Sequence, residues 1–243
     1  SLPVREQKGR TMKQKLMLIA SGALAALALA ALPAVAAAGE FAADCENGAA
    51  VCTGTVAGGA TQIRNDAGEG LSCASVGGKA TVNNGTSTGA LELAYKGCKE
   101  NITGFGLSCN NTGVPGEIKT GATVTHLIYL EHNATTSGLK VTLPGHGTGS
   151  GGWTLSCAGF FKKTMTGSFI GHISNPNCGT FQASYAVDFV ESSVGVQWWM
   201  QATTTGETAD LMSSNDAGGA YTTTAITGST TITWEGTNVK LTC

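Results

Sequence analysis

The chain has 243 residues, of which 12% are charged, with 14 Lys and Arg against 16 Asp and Glu and a formal net charge of -2. That length accommodates one β domain or two small ones. Five of the basic residues (Arg5, Lys8, Arg10, Lys13 and Lys15) precede residue 38, as does Glu6, so the remainder carries nine basic and 15 acidic groups, a net -6. Nine scattered cations do not make the basic stripe that phosphate backbones require, which excludes nucleic acid as a partner.

The N-terminal pattern is that of a secretory leader. Lys13 and Lys15 precede an apolar run from Leu16 to Leu32, Pro33 breaks it, and Ala34-Val35-Ala36 supplies the small residues of a cleavage site. Met12 reads as the natural start, so residues 1–38 are upstream sequence plus signal peptide. The alternative is a retained anchor, since ~20 apolar residues can cross a bilayer. No later segment is long and apolar enough to span, so the mature domain is expected to stay out of the membrane.

All eight cysteines (Cys45, Cys52, Cys73, Cys98, Cys109, Cys157, Cys178 and Cys243) follow the leader. An even number in an exported chain reads as disulfides. Sequence does not choose among the pairings; short loops suggest Cys45–Cys52, Cys98–Cys109 and Cys157–Cys178. No CxxC pair and no finger-like His spacing points to a metal. No cofactor is expected.

Between Gly39 and Gly59 side chains are small, and two cysteines are needed to hold the segment to the body. A strand is expected within Ile63–Lys79, ending at Leu71-Ser72-Cys73. Asn83-Asn84-Gly85 is a turn. Leu91, Leu93 and Tyr95 then alternate with Glu92, Ala94 and Lys96, a half-buried strand. Phe105 to Cys109 is expected to return beside it.

From Gly116 to Ala202, six short period-two runs are separated by Gly, Asn, Pro and Ser. The stretch GEIKTGATVTHLIYL is apolar on both faces, with Val124, Ile128 and Leu130 on one side and Leu127 and Tyr129 on the other, so it should be central or covered. Gly167 and Gly171 lie on the apolar face of the Met165–Ile173 run, where they leave room for a bulky neighbour or mark bulges. Phe181, Tyr185, Val187 and Phe189 share an expected inner face with Val196, Trp198 and Met200. Ile232 and Trp234 open a closing hairpin to Cys243. The expected architecture is an all-β, disulfide-stapled antiparallel sandwich, either divided near Val114-Pro115-Gly116 into an N-terminal β module, 39–114, and a main sandwich module, 115–243, or with the two continuous through shared strands.

The segments GEIKTGATVTHLIYL, GLKVTL and WTLSCAGFFKKTMTGSFIGHI resemble a loosely defined group of secreted actinobacterial all-β proteins of uncharacterised function. Gly116, Glu117, Ile118, Thr120, Leu127, Tyr129, Cys157, Thr166, Gly167, Ser168, Ile170 and Gly171 carry the resemblance, which covers about residues 71–212. The glycine-rich 145–152 segment and the tryptophan pair depart from it. It implies fold and compartment, and brings no activity or site residue.

Chemistry-bearing patterns are sparse. There is no Gly-x-Ser-x-Gly elbow, and Ser150 among glycines lacks the strand-to-helix setting that gives the elbow meaning. His126, His132, His146 and His172 make no short ligand pair, although a sheet can bring them together with Glu131 or Asp188. Glu117, Glu131, Asp188 and Glu191 are candidates for paired carboxylates. The sharper signal is Trp198-Trp199, since neighbours on a strand face opposite ways. With Trp198 in the core, Trp199 projects between Gln197 and Gln201, a flat aromatic among amides suited to a sugar ring or a protein. The resulting expectation is a secreted, non-catalytic protein of the cell envelope or exterior, engaged in adhesion or carbohydrate binding, with a glycan, cell-wall polymer or protein as partner. An extracellular hydrolase acting on polysaccharide or cell wall is the alternative.

Overall fold

The computed structural model describes residues 39–130, 133–144, 152–159, 161–199, 211–214 and 220–243. The expected leader, together with Glu131, His132, His146, Met200 and Gln201, lies outside them. The described residues form strands and turns without a helix, so no helix among them is long and apolar enough to cross a membrane.

Twenty strands are present among those residues: β1 (Ala43–Cys45), β2 (Val51–Gly58), β3 (Thr61–Asn65), β4 (Gly70–Cys73), β5 (Ser75–Asn83), β6 (Thr88–Lys96), β7 (Lys99–Glu100), β8 (Cys109–Asn110), β9 (Ile118–Leu130) and β10 (Asn133–Thr142). They continue as β11 (Trp153–Cys157), β12 (Phe161–Thr166), β13 (Ser168–Ser174), β14 (Phe181–Gln182), β15 (Ser184–Phe189), β16 (Glu191–Ser193), β17 (Val196–Gln197), β18 (Met212–Ser214), β19 (Thr222–Trp234) and β20 (Val239–Leu241). Strict alternation of buried and exposed positions, as along Val51–Ala57, is what selects strand over helix. The single strand expected after Ile63 is instead β3, β4 and the start of β5, because the Asn65–Glu69 turn and Ala74 break it.

The all-β, antiparallel and disulfide-bonded class holds, but the main sheet closes on itself rather than stacking on a second one. In order, β2, β5, β6, β9, β10, β13, β15 and β19 are each hydrogen-bonded to the next, and β19 returns to β2. An eight-stranded antiparallel barrel has no free edge, and its interior is just wide enough for side chains to fill. The boundary near Val114 separates no modules: β6 pairs with β9, and β2 with β19, across it. Both segments belong to one compact unit, Ala36–Cys243.

The barrel is packed, not hollow. Tyr95, Trp153, Phe169 and Phe189 form an aromatic chain with successive centroids 6.0, 6.4 and 5.3 Å apart. Toward the other end remains an apolar cavity of about 40 Å³, bordered by Leu91, Leu139, Ile173, Val187 and Ile232. The small sheet β1–β20–β14 contributes Ala43, Val239 and Leu241 to that cavity, and Tyr185 Oη donates to Val239 O at 2.7 Å. Gly171 leaves room, as expected: a Cβ there would lie 2.5 Å from Val187 Cγ1 and 2.6 Å from Phe189 Cε1.

A second closure shares β19. Its first half pairs with β18 and β3, followed on one side by β12, β11 and β8, and on the other by β4 and β7. The Lys99–Ser108 bridge, with Glu100 N on Leu107 O and Cys109 N on Cys98 O, joins these two arms. The strand passes between rings at Gly228, where φ is 145°.

The disulfides are Cys45–Cys52, Cys73–Cys98, Cys109–Cys157 and Cys178–Cys243. Only the first matches the expected pairings. Sequence proximity misleads where β-pairing joins distant segments, as β8 joins β11 at Cys109 and Cys157.

Candidate functional site

The outer wall of the barrel has an apolar patch of its own. On β9 Ile128 and Leu130 point outward and are fully buried, as is Ile170 on β13. Between them Gly138 on β10 pairs with Ile128 on one side and His172 on the other. What covers the patch is Trp199, whose indole packs on it and lies 4.9 Å from the His172 ring at 33°. The expectation that β9 would be covered is therefore met, and by the tryptophan expected to face solvent.

That reverses the reading of the pair. Trp198 is 44% exposed, whereas Trp199 is half-buried. The alternation is real, since Val194, Val196 and Trp198 do lie on one side, but that side faces water. The cause is that residues 191–197 do not continue β15: β16 turns at Val194-Gly195 into β17, and the hairpin lies on the barrel with Trp199 inward. Gln197 is not an exposed flank either. Its Nε2 donates to Ile226 O at 2.8 Å and its Oε1 accepts from Ile170 N at 3.4 Å. Phe181 also leaves the expected inner face. It sits on β14 ahead of the barrel, 37% exposed, with Lys240 Nζ 5.1 Å from its ring.

The hairpin is held at several points. Arg64 pairs with Glu191, whose Oε2 also accepts from Gly195 N at 3.3 Å. Gly195, at φ 76°, presses on the Asn65–Asp66 backbone, where a Cβ would fall 2.2 Å from Asp66 N. Trp198 N donates to Val190 O at 2.9 Å. The result is a fixed apolar strip of Val190, Val194, Val196 and Trp198 turned to solvent.

The other expected residues divide into separate environments. His172 and Asp188 are direct cross-strand partners on β13 and β15. Burial alone would raise the Asp188 pKa, but hydrogen bonds from Ser174 and Ser229 and the charge of His172 bring it below the usual carboxylate value. His126 Nδ1 lies 3.2 Å from Glu40 Oε1, and Glu40 also accepts from Ser87. Glu117 accepts from Thr112 at 3.0 Å and lies 3.7 Å from Lys119. No three metal-ligating side chains gather among the described residues.

Sequence reading overlooked Glu100. It is 2% exposed, enclosed by its own 100–107 loop. Burial would raise its pKa, yet hydrogen bonds from the Thr103 hydroxyl and the Thr103, Leu107 and Ile102 amides hold it down at about 2. A depression of about 260 Å³ beside β8 and β11 is bordered by Asn110, Asn111, Leu155 and Lys162, but the Asn111 amide is committed to Lys119. No family model, curated protein or solved structure matches the chain.

Proposed function

We propose that the protein is a secreted, non-catalytic binding protein that acts outside the cell or at its envelope, using the 190–198 strip as its contact surface. The observation that carries this reading is Trp198, exposed on a hairpin fastened by Arg64, Gly195, Gln197 and Trp199. A rigid aromatic adds contact area at little cost in conformational entropy, and aromatic residues are enriched at interfaces. Valines rather than amides surround it, so the strip suits an apolar protein face better than a sugar ring, which needs polar partners at its rim. The four disulfides and the leader-like N-terminus support an oxidising, extracellular setting.

The test is a binding screen of the mature protein against cell-wall polymers, glycans and intact cell surfaces, with Trp198→Ala beside the wild type. Loss of binding at unchanged melting temperature supports the reading; undiminished binding ends it. A second reading, an extracellular hydrolase, is favoured by the His172–Asp188 pair. Against it, Trp199 packs on the imidazole, and the Ser174 hydroxyl is directed at Asp188 rather than at His172. Turnover of a cell-wall polysaccharide abolished by His172→Ala would favour the hydrolase.

A further inference from the structure

On the outer face of the second ring, one polar row runs straight across three strands. Asn110 on β8 pairs with Ser156 on β11, and Ser156 pairs with Lys162 on β12. Their strand neighbours Cys109, Leu155, Cys157 and Lys163 are buried, so the row itself points outward. Asn110, Ser156 and Lys162 all border the depression of about 260 Å³. Its walls are fixed. The Cys109–Cys157 disulfide ties β8 to β11 beside the row, and the Asn111 side chain exchanges hydrogen bonds of 2.7 and 2.8 Å with the Lys119 backbone to hold the 111–117 loop. The row's own polar groups are free to bind. Asn110 Oδ1 accepts from Gly113 N at 3.1 Å, which leaves the Nδ2 donors unengaged. Neither the Ser156 hydroxyl nor the Lys162 ammonium has a partner among the described residues. Glu117, the carboxylate of the adjoining loop, is engaged by Thr112 and Lys119 instead.

We infer that this row is a binding site for a single sugar ring bearing a carboxylate, a uronic acid, independent of the strip around Trp198. Lys162 meets the carboxylate, while the Ser156 hydroxyl and the Asn110 amide meet ring hydroxyls. Strands lie ~4.8 Å apart, so three in-register residues span about 10 Å, the reach of one ring with its acid group. A volume below the ~300–1,000 Å³ of drug-sized pockets suits one ring rather than a longer buried chain. Other ligand classes fit worse. Phosphate is best held by an arginine fork or a helix N-terminus, and neither borders the site. A nucleobase stacks on an aromatic ring, and none of the described residues bordering the site has one. An amino acid would need a carboxylate for its ammonium, and none borders the site.

The experiment is titration of the isotope-labelled, disulfide-bonded mature protein with glucuronate, followed by NMR amide shifts. Saturable shifts in the millimolar range are expected at Asn110 to Gly113, Thr154 to Ser156 and Lys162, and at the Asn110 side-chain amide. Glucose and acetate should each bind about tenfold more weakly, because each lacks part of the contact set. Lys162→Met should weaken glucuronate about tenfold and Ser156→Ala about threefold, both at unchanged melting temperature. Lys79→Met, which removes an exposed charge on β5, should leave the affinity as it is. The comparison of ligands on the wild type stands whatever the variants do. Acetate binding as well as glucuronate overturns the proposal, leaving a surface lysine that meets any carboxylate. So do the absence of a saturable shift, shifts that map elsewhere, inorganic phosphate binding more tightly than glucuronate, or a Lys162→Met variant that binds as wild type.

Discussion

The indole of Trp199 lies against the imidazole of His172, 4.9 Å between centroids, over a barrel wall whose Ile128, Leu130 and Ile170 have no other aromatic cover among the described residues. Adjacent tryptophans thus have separate duties. Trp199→Ala should open that patch and cost about 1–3 kcal/mol, less than a fully buried Trp because it is half-exposed. Trp198→Ala should leave stability within about 0.5 kcal/mol, as for surface positions. Urea denaturation of the two variants checks the contrast; equal losses would contradict it.

Glu100 makes stability depend on acid. Its folded-state pKa, about 2 against an ordinary 4.5, means that its contribution is complete above about pH 5 and fades as pH falls from 4.5 toward 2. Glu100→Gln keeps an acceptor but loses the charge, and should cost about 1–3 kcal/mol at neutral pH. Denaturation curves at a series of pH values should show wild type and variant converging below pH 4.5. A gap independent of pH would show that the carboxylate charge is not what holds the loop.

Gly171 faces Val187 and Phe189 at distances that no Cβ tolerates. Gly171→Ala should therefore destabilise by about 1–3 kcal/mol through overpacking. Pairing it with Phe189→Leu should recover part of that loss. Thermal melts of the single and double variants give the coupling.

The disulfides should contribute unequally. Cys178–Cys243 closes a separation of 65 residues and Cys45–Cys52 one of seven, so loop-closure entropy assigns them ~4 and ~2 kcal/mol. Peptide mapping under non-reducing conditions should recover all four pairs. Replacing Cys178 and Cys243 together by Ala should lower the melting temperature more than the corresponding change at Cys45 and Cys52.

Period-two patterning alone made the strands legible, together with the double-sided apolar character of β9 and the space reserved by Gly171. What it left open is the sign of a face. Val194, Val196 and Trp198 share a side in either reading, and only the Gly195 turn, clamped on Asn65 and Asp66, decides that this side meets water. Barrel closure was equally hidden, because it rests on β19 pairing with both β15 and β2 over long sequence separations. Glu100 was invisible for a simpler reason: its hydrogen-bond donors belong to a loop whose conformation no alternation encodes.

β19 is a stave of two rings, paired with β18 and β3 through its first half and with β15 and β2 through its second. Its amide hydrogens should exchange with solvent only when the whole molecule opens, making this one strand the slowest-exchanging segment from Thr222 to Trp234. Under limited proteolysis, loops should be nicked well before this strand is reached.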